Sequence, residues 1–184
     1  MTAKTEEKAT IADRFIDTLE GLKDRGARGD LAVLRRNAGR SLAESRGAIG
    51  LFYNLLPARI GFDEEVYFLV ATLFPWNDKP APEGNFGHSL ARLRARTGSE
   101  ALDRRMTILL DAQWDRGPDG RVRPGELGFR LRQAVKLLAS HDIGVNWRQL
   151  LKDLLQWSLP DRWVQKQWAA AYFGRAAEVA PDES

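Results

Sequence analysis

Leu127, Leu131, Ala134, Val135 and Leu138 recur at helical spacing, and no strand could bury them together. At about 100° per residue the five share one stripe. At the two-residue period of a strand, Leu127, Leu131 and Val135 would face one way and Ala134 and Leu138 the other. The same period runs through most of the chain. Ile11, Phe15, Leu19 and Leu22 form a first stripe, closed by the glycine-rich run from Gly21 to Gly29. Asp30 is expected to cap a short helix with Leu31, Val33 and Leu34. Ile49, Phe52, Tyr53 and Leu56 follow, stopped by Pro57, and Asp63 opens a segment with Val66, Leu69, Val70 and Leu73. Helices are further expected from near His88, with Leu90 and Leu93, and from about Ser99, with Leu102, Met106, Leu109 and Leu110. Asn146 caps the next, with Gln149 at the capping-box position and Trp147, Leu150, Leu151, Leu154 and Leu155 inward. A final helix clusters Val164, Trp168, Ala171 and Tyr172, with Pro160 in its first turn. No segment alternates. The expected class is all-α, a compact bundle of roughly eight to nine helices.

Two stretches read as loops: Trp76 to Gly87, rich in proline and glycine, and Asp115 to Glu126. We expect one helical domain over residues 1–175; if it divides into two sub-bundles, they meet near 76–87. Residues 176–184 read as a disordered acidic tail.

Apolar residues at 43% and six tryptophans supply a core, and 29% charged residues with a mean hydropathy of −0.40 favour solubility. Nothing approaches the roughly 20 apolar residues of a membrane span. The polar start, MTAKTEEKAT, lacks the apolar region of a secretory signal. Cysteine is absent, which excludes disulfides and thiolate metal sites. A cytoplasmic location follows by elimination. Net charge is only +3, but its arrangement is uneven. Seven basic and two acidic residues lie between Arg25 and Arg59, and eleven basic and six acidic between Arg92 and Lys136. Such blocks suit either a footprint for phosphate backbones or arginine-rich solvated helix faces.

No catalytic constellation stands out. His88 and His141 are too few and too far apart for a metal site, and no HExxH, P-loop, GxSxG or dinucleotide fingerprint occurs. Asp111, Asp115 and Asp119 are four apart, but Gly117 and Pro118 break any helix there, so a solvated turn is expected. We expect no enzyme activity, cofactor or metal. Trp147 and Trp168 fall on apolar faces and read as core. Trp76 and Trp114, near or in loops, are the freer candidates for a partner surface.

An ordered series carries a family resemblance. It begins with Leu34-Arg35-Arg36 and Phe52-Tyr53-Asn54-Leu55-Leu56-Pro57, then Ser89-Leu90-Ala91-Arg92 and Asp103-Arg104-Arg105. Leu131-Arg132-Gln133-Ala134-Val135-Lys136-Leu137-Leu138 and Val145-Asn146-Trp147 come next, followed by Leu150-Leu151-Lys152-Asp153-Leu154, Trp157 and Val164-Gln165-Lys166-Gln167-Trp168-Ala169. Over roughly residues 10 to 173 the chain resembles the CasB family, small subunits of the type I-E CRISPR surveillance complex Cascade. It departs from the pattern where Asp103 replaces a glutamate and where the Asp115–Glu126 loop is longer. The resemblance implies a non-catalytic helical protein present as two copies, touching the backbone subunits and the large subunit. It also implies contact with the target and displaced DNA strands of the guide RNA–DNA R-loop. The residues proposed to meet nucleic acid are Arg35, Arg36, Arg104, Arg105, Arg132 and Lys136, with Arg92, Arg94, Arg96 and Arg130 next. Arg132 and Lys136 are expected on the face of their helix opposite the core stripe. The competing readings are a free-standing helical DNA-binding regulator and an all-α adaptor that binds protein alone.

Overall fold

The structure, a computed structural model, describes residues 2–174, with side-chain surroundings from residue 11 onward. The acidic tail expected over 176–184 lies outside the described residues. The helices are α1 (Thr2–Asp24), α2 (Arg28–Arg36), α3 (Ile49–Leu55), α4 (Glu64–Leu73), α5 (Phe86–Thr97), α6 (Ala101–Asp111), α7 (Gly125–Ser140), α8 (Trp147–Leu155) and α9 (Trp163–Phe173). Short 3-10 turns span Leu42–Glu44, Gly61–Asp63 and Phe74–Trp76. The all-α reading therefore holds.

Helix α4 is buried at every position from Glu65 to Leu73, as its apolar run from Val66 to Ala71 requires, and α2, α7 and α8 pack around it. Helix α8 also lies on α1, and α5 pairs with both α9 and α7. The α5–α9 contact is the most intimate. A Cβ on Gly87 would stand 2.3 Å from the carbonyl oxygen of Trp168, so only glycine lets the two backbones meet. Gly144 makes a similar approach, where a Cβ would lie 2.0 Å from the carbonyl oxygen of Pro80.

Several local expectations are corrected. A two-residue antiparallel hairpin, β1 (Asp115–Arg116) with β2 (Val122–Arg123), replaces most of the second loop, pairing Asp115 with Arg123 and Arg116 with Val122. Ion pairs from Arg121 to Glu64 (3.2 Å) and from Arg123 to Glu65 (3.8 Å) pin it to the start of α4. Trp114, just before it, is 7% exposed and belongs to the core, not to a partner surface. Asp30 sits in the first turn of α2, where its charge favours the helix dipole, but the N-cap is Ala27. In α3 the buried pair is Phe52 and Leu55, while Ile49 and Tyr53 are exposed. Pro160 stands outside α9, which begins after Arg162 adopts a left-handed φ of 52°. The Arg162 guanidinium holds that turn by donating to the carbonyl of Leu110 (2.7 Å) and to Asp111 (3.1 Å).

Asn146 caps α8 as expected, its Oδ1 accepting from the Gln149 amide at 3.1 Å, but the reciprocal half of the capping box is missing. The Gln149 side chain turns instead to Asp153, donating from Nε2 at 2.8 Å. Trp168 Nε1 donates to the other oxygen of Asp153 at 2.6 Å. Asp153 is 3% exposed and has no ion pair among the described residues, so burial pushes its carboxyl above the usual range despite both hydrogen bonds. A raised folded pKa favours the protonated form, so this group's contribution is fully present below the ordinary aspartate range and is lost as pH rises through the folded value. Asp153→Asn retains an acceptor for Trp168, and a flipped Gln149 amide satisfies its other end. This variant is therefore expected to be more stable than the parent at neutral pH, with the difference closing as pH falls. Urea titrations across that range check it; a gap independent of pH would mean the carboxylate is not the cause.

Candidate nucleic-acid interface

The 3-10 turn after α4, which touches both α2 and α7, carries Trp76 between their side chains. Its Nε1 donates to the Arg35 carbonyl at 3.3 Å. The Arg35 guanidinium lies 4.2 Å from the ring centroid and Lys136 Nζ 4.0 Å, with Arg132 farther out at 6.0 Å. Three cations so close would repel one another in the open. The electron-rich faces of the indole offset that, each close contact contributing about 0.5–2 kcal/mol. Arg35 and Lys136 are exposed and present their charge to solvent. Arg132 differs: it is half-buried at the edge of the core stripe, not opposite it, and its Nε is buried without a hydrogen-bond partner among the described residues.

Beside this cluster a groove of about 440 Å³ runs between α6 and α7, floored by Leu102, Met106, Leu109 and Leu137 and closed by Leu90 and Tyr172. Arg105, Arg130 and Lys136 stand among its lining residues, and no carboxylate does. Lys136 thus belongs to both features. Arg130 also pairs with Glu126 one helical turn away at 3.2 Å, a weak contact at this exposure.

Of the ten candidate residues, then, Arg35, Arg105, Arg130, Arg132 and Lys136 are gathered around the indole and the groove. Arg36 and Arg104 are exposed on α2 and α6 and make no ion pair among the described residues. The three arginines of α5 are engaged within the protein. Arg92 donates to the Glu83 carbonyl at 3.1 Å, and Arg96 donates to the His141 carbonyl. Arg94 pairs with Asp103 at 2.9 Å. Asp103 also accepts from the Tyr172 hydroxyl at 2.8 Å, and burial together with that carboxylate raises the phenol well above its ordinary pKa. Trp76, expected from the sequence as a candidate for a partner surface, is the hub of the cluster, whereas Gln133 and Leu137 in the groove carry no charge and were not singled out. A tryptophan directly after Pro75 at a loop edge was the available signal.

The two histidines are structural at their helix ends. The Asn85 amide donates to His88 Nδ1 (3.1 Å) in the capping box of α5, and His141 is the C-cap of α7. Among the described residues, no group of three or more His, Asp or Glu residues could hold a metal ion, and no helix is long and apolar enough to cross a membrane.

Fold and surface together define an all-α protein with cations from α2 and α7 gathered on one half-buried indole. The family model for the CRISPR-associated protein Cse2 matches residues 30–173, and the chain belongs to that family. A CRISPR-associated Cse2 protein from Thermus thermophilus is 35% identical over 117 residues, which is 62% of this chain and 60% of that relative's length. The crystal structure of M. ruber CasB superposes with a TM-score of 0.68 at 29% identity, covering 87% of this chain and 92% of that one. A chain of a CRISPR RNA-guided surveillance complex shares the fold at 21% identity and a TM-score of 0.70, covering 90% and 92%.

Proposed function

We propose that this protein is the non-catalytic small subunit of a type I-E CRISPR Cascade surveillance complex, acting in the cytoplasm. In this reading two copies lie against the backbone subunits and the large subunit and hold the target and displaced DNA strands without reading their sequence, so stabilising the R-loop. The observation that carries it is the Arg35–Trp76–Lys136 cluster in a Cse2-family chain: cations from two helices, fixed in place and facing solvent. Guide pairing is nearly balanced against the DNA pairing it replaces, so a few phosphate contacts tip the exchange. Arginine suits the task because its planar fork meets phosphate oxygens in pairs. Residues 1–175 act as one unit in this reading, which the core cluster joining helices from α1 to α9 among the described residues supports.

The test is to tag the chain in its native host and purify it gently. Recovery of a uniform guide-length RNA with the repeated backbone and large subunits is the expected result. Recovery alone, or with chromosomal fragments bearing a sequence-specific footprint, would overturn it in favour of a free-standing DNA-binding regulator.

A further inference from the structure

We infer that the groove between α6 and α7 seats the unpaired bases of a DNA strand whose phosphates are held along its cationic rim, so that this protein grips single strands by base burial as well as by charge. The inference rests on the nucleic-acid reading above and adds the site and the part of the ligand it takes. Two physical facts carry it. First, the lining is divided by chemistry: an apolar floor of Leu102, Met106, Leu109 and Leu137, with Arg105, Arg130 and Lys136 around it and no carboxylate among the lining residues. A polyanion bearing flat, largely apolar groups at close intervals complements both parts at once. A duplex does not, because its bases are stacked inside. Second, the groove is continuous with the cation cluster. Lys136 lines the groove and also lies 4.0 Å from the Trp76 ring centroid, where it joins Arg35. A strand following the exposed charges of α2 onto α7 is thereby led into the groove.

The groove offers about 440 Å³ to the bases of such a strand. Gln133, exposed and in the lining, offers both a donor and an acceptor that any base can use in some orientation, which fits binding without sequence preference. The Ser140 hydroxyl donates to the Leu137 carbonyl at 2.8 Å and keeps only its acceptor side for a base. Burying a base face is a contact with little ionic character, so its contribution should persist at salt concentrations that screen the phosphates.

The experiment compares, on the unmodified full chain, an oligothymidylate of about 12 nucleotides with an abasic strand of equal length and charge. The expected result is roughly tenfold weaker binding of the abasic strand, with the same dependence on salt for both. Equal affinities would overturn the inference while leaving the phosphate-based reading intact. Failure of both strands to bind would overturn the reading beneath it as well. Ala134→Phe, which narrows the groove from α7, is expected to bring thymidylate affinity down to the abasic level and leave the abasic strand unaffected. A folded Ala134→Phe variant that keeps the preference for bases would place them elsewhere and overturn the assignment to this groove.

Discussion

A Gly87→Ala variant is expected to melt roughly 6–12 °C below the parent, corresponding to about 3 kcal/mol of lost stability. The added methyl would stand 2.3 Å from the Trp168 carbonyl oxygen, and that oxygen is backbone, so no rotamer change relieves the clash. Helices α5 and α9 must separate instead. Separation loosens the packing of Phe86 on Trp168 (ring centroids 5.1 Å apart) and of Trp168 on Trp157 (4.9 Å). It also strains the hydrogen bond from Trp168 to the buried Asp153. Gly29→Ala in α2 is the control, since a Cβ there meets nothing within 4 Å, and it should be neutral or slightly stabilising. Thermal melts of both variants decide the matter. If Gly87→Ala melted alongside the parent, the α5–α9 seam would have slack that this geometry denies.

The second large effect is on binding. Arg35→Glu combined with Lys136→Glu is expected to weaken single-stranded DNA binding roughly 100-fold near 0.1 M salt, because two attractions become two repulsions at one point on the strand's path. The slope of log affinity against log salt should fall by about 1.4 as two phosphate contacts are lost. Both side chains are exposed, so circular dichroism should be unchanged. Reconstituted into the surveillance complex, the same double variant should shorten the lifetime of the R-loop. Arg132 is the wrong partner for this test despite lying near Trp76, since reversing a half-buried charge disturbs packing as well. Arg94→Gln supplies a control. Its charge is taken up by Asp103, and its loss should leave the salt slope alone. An unchanged slope in the double variant would place the phosphate contacts on another face.

Much of the fold was legible because helices announce themselves locally. The stripes of α1, α7 and α8 can be read from 3.6-residue spacing without knowing what they pack against, whereas α4, read as a stripe, is buried on every side. The misplaced features are those decided at a distance. Strands of two residues are too short to show alternation, so the hairpin stayed hidden, and with it the burial of Trp114. Pro160 looked like a helix start because the break at Arg162 depends on a clamp to the end of α6, far back along the chain. Exposed arginine faces were legible as a sum. Which arginines are free was not, because Arg94, Arg92 and Arg96 are occupied by Asp103 and by the carbonyls of Glu83 and His141, partners that only folding brings near. Trp76 was legible as a candidate for a partner surface from its place at a loop edge, but the three separated cations that converge on it were not.

The approach of Gly144 to the Pro80 carbonyl bears on how such a protein can diverge. Most interior contacts are between side chains, and a change on one side can be answered by a change of size on the other. Here a Cβ would fall 2.0 Å from main-chain oxygen, and no substitution at position 80 moves that atom. Descendants of this chain can therefore redraw their charged surface without disturbing this crossing. The crossing of the 77–85 loop over Gly144 has no such second solution. Any lineage that loses the glycine must shift the loop as a whole, and the Asn77 side chain, which reaches the Ile143 carbonyl at 2.9 Å, would have to go with it.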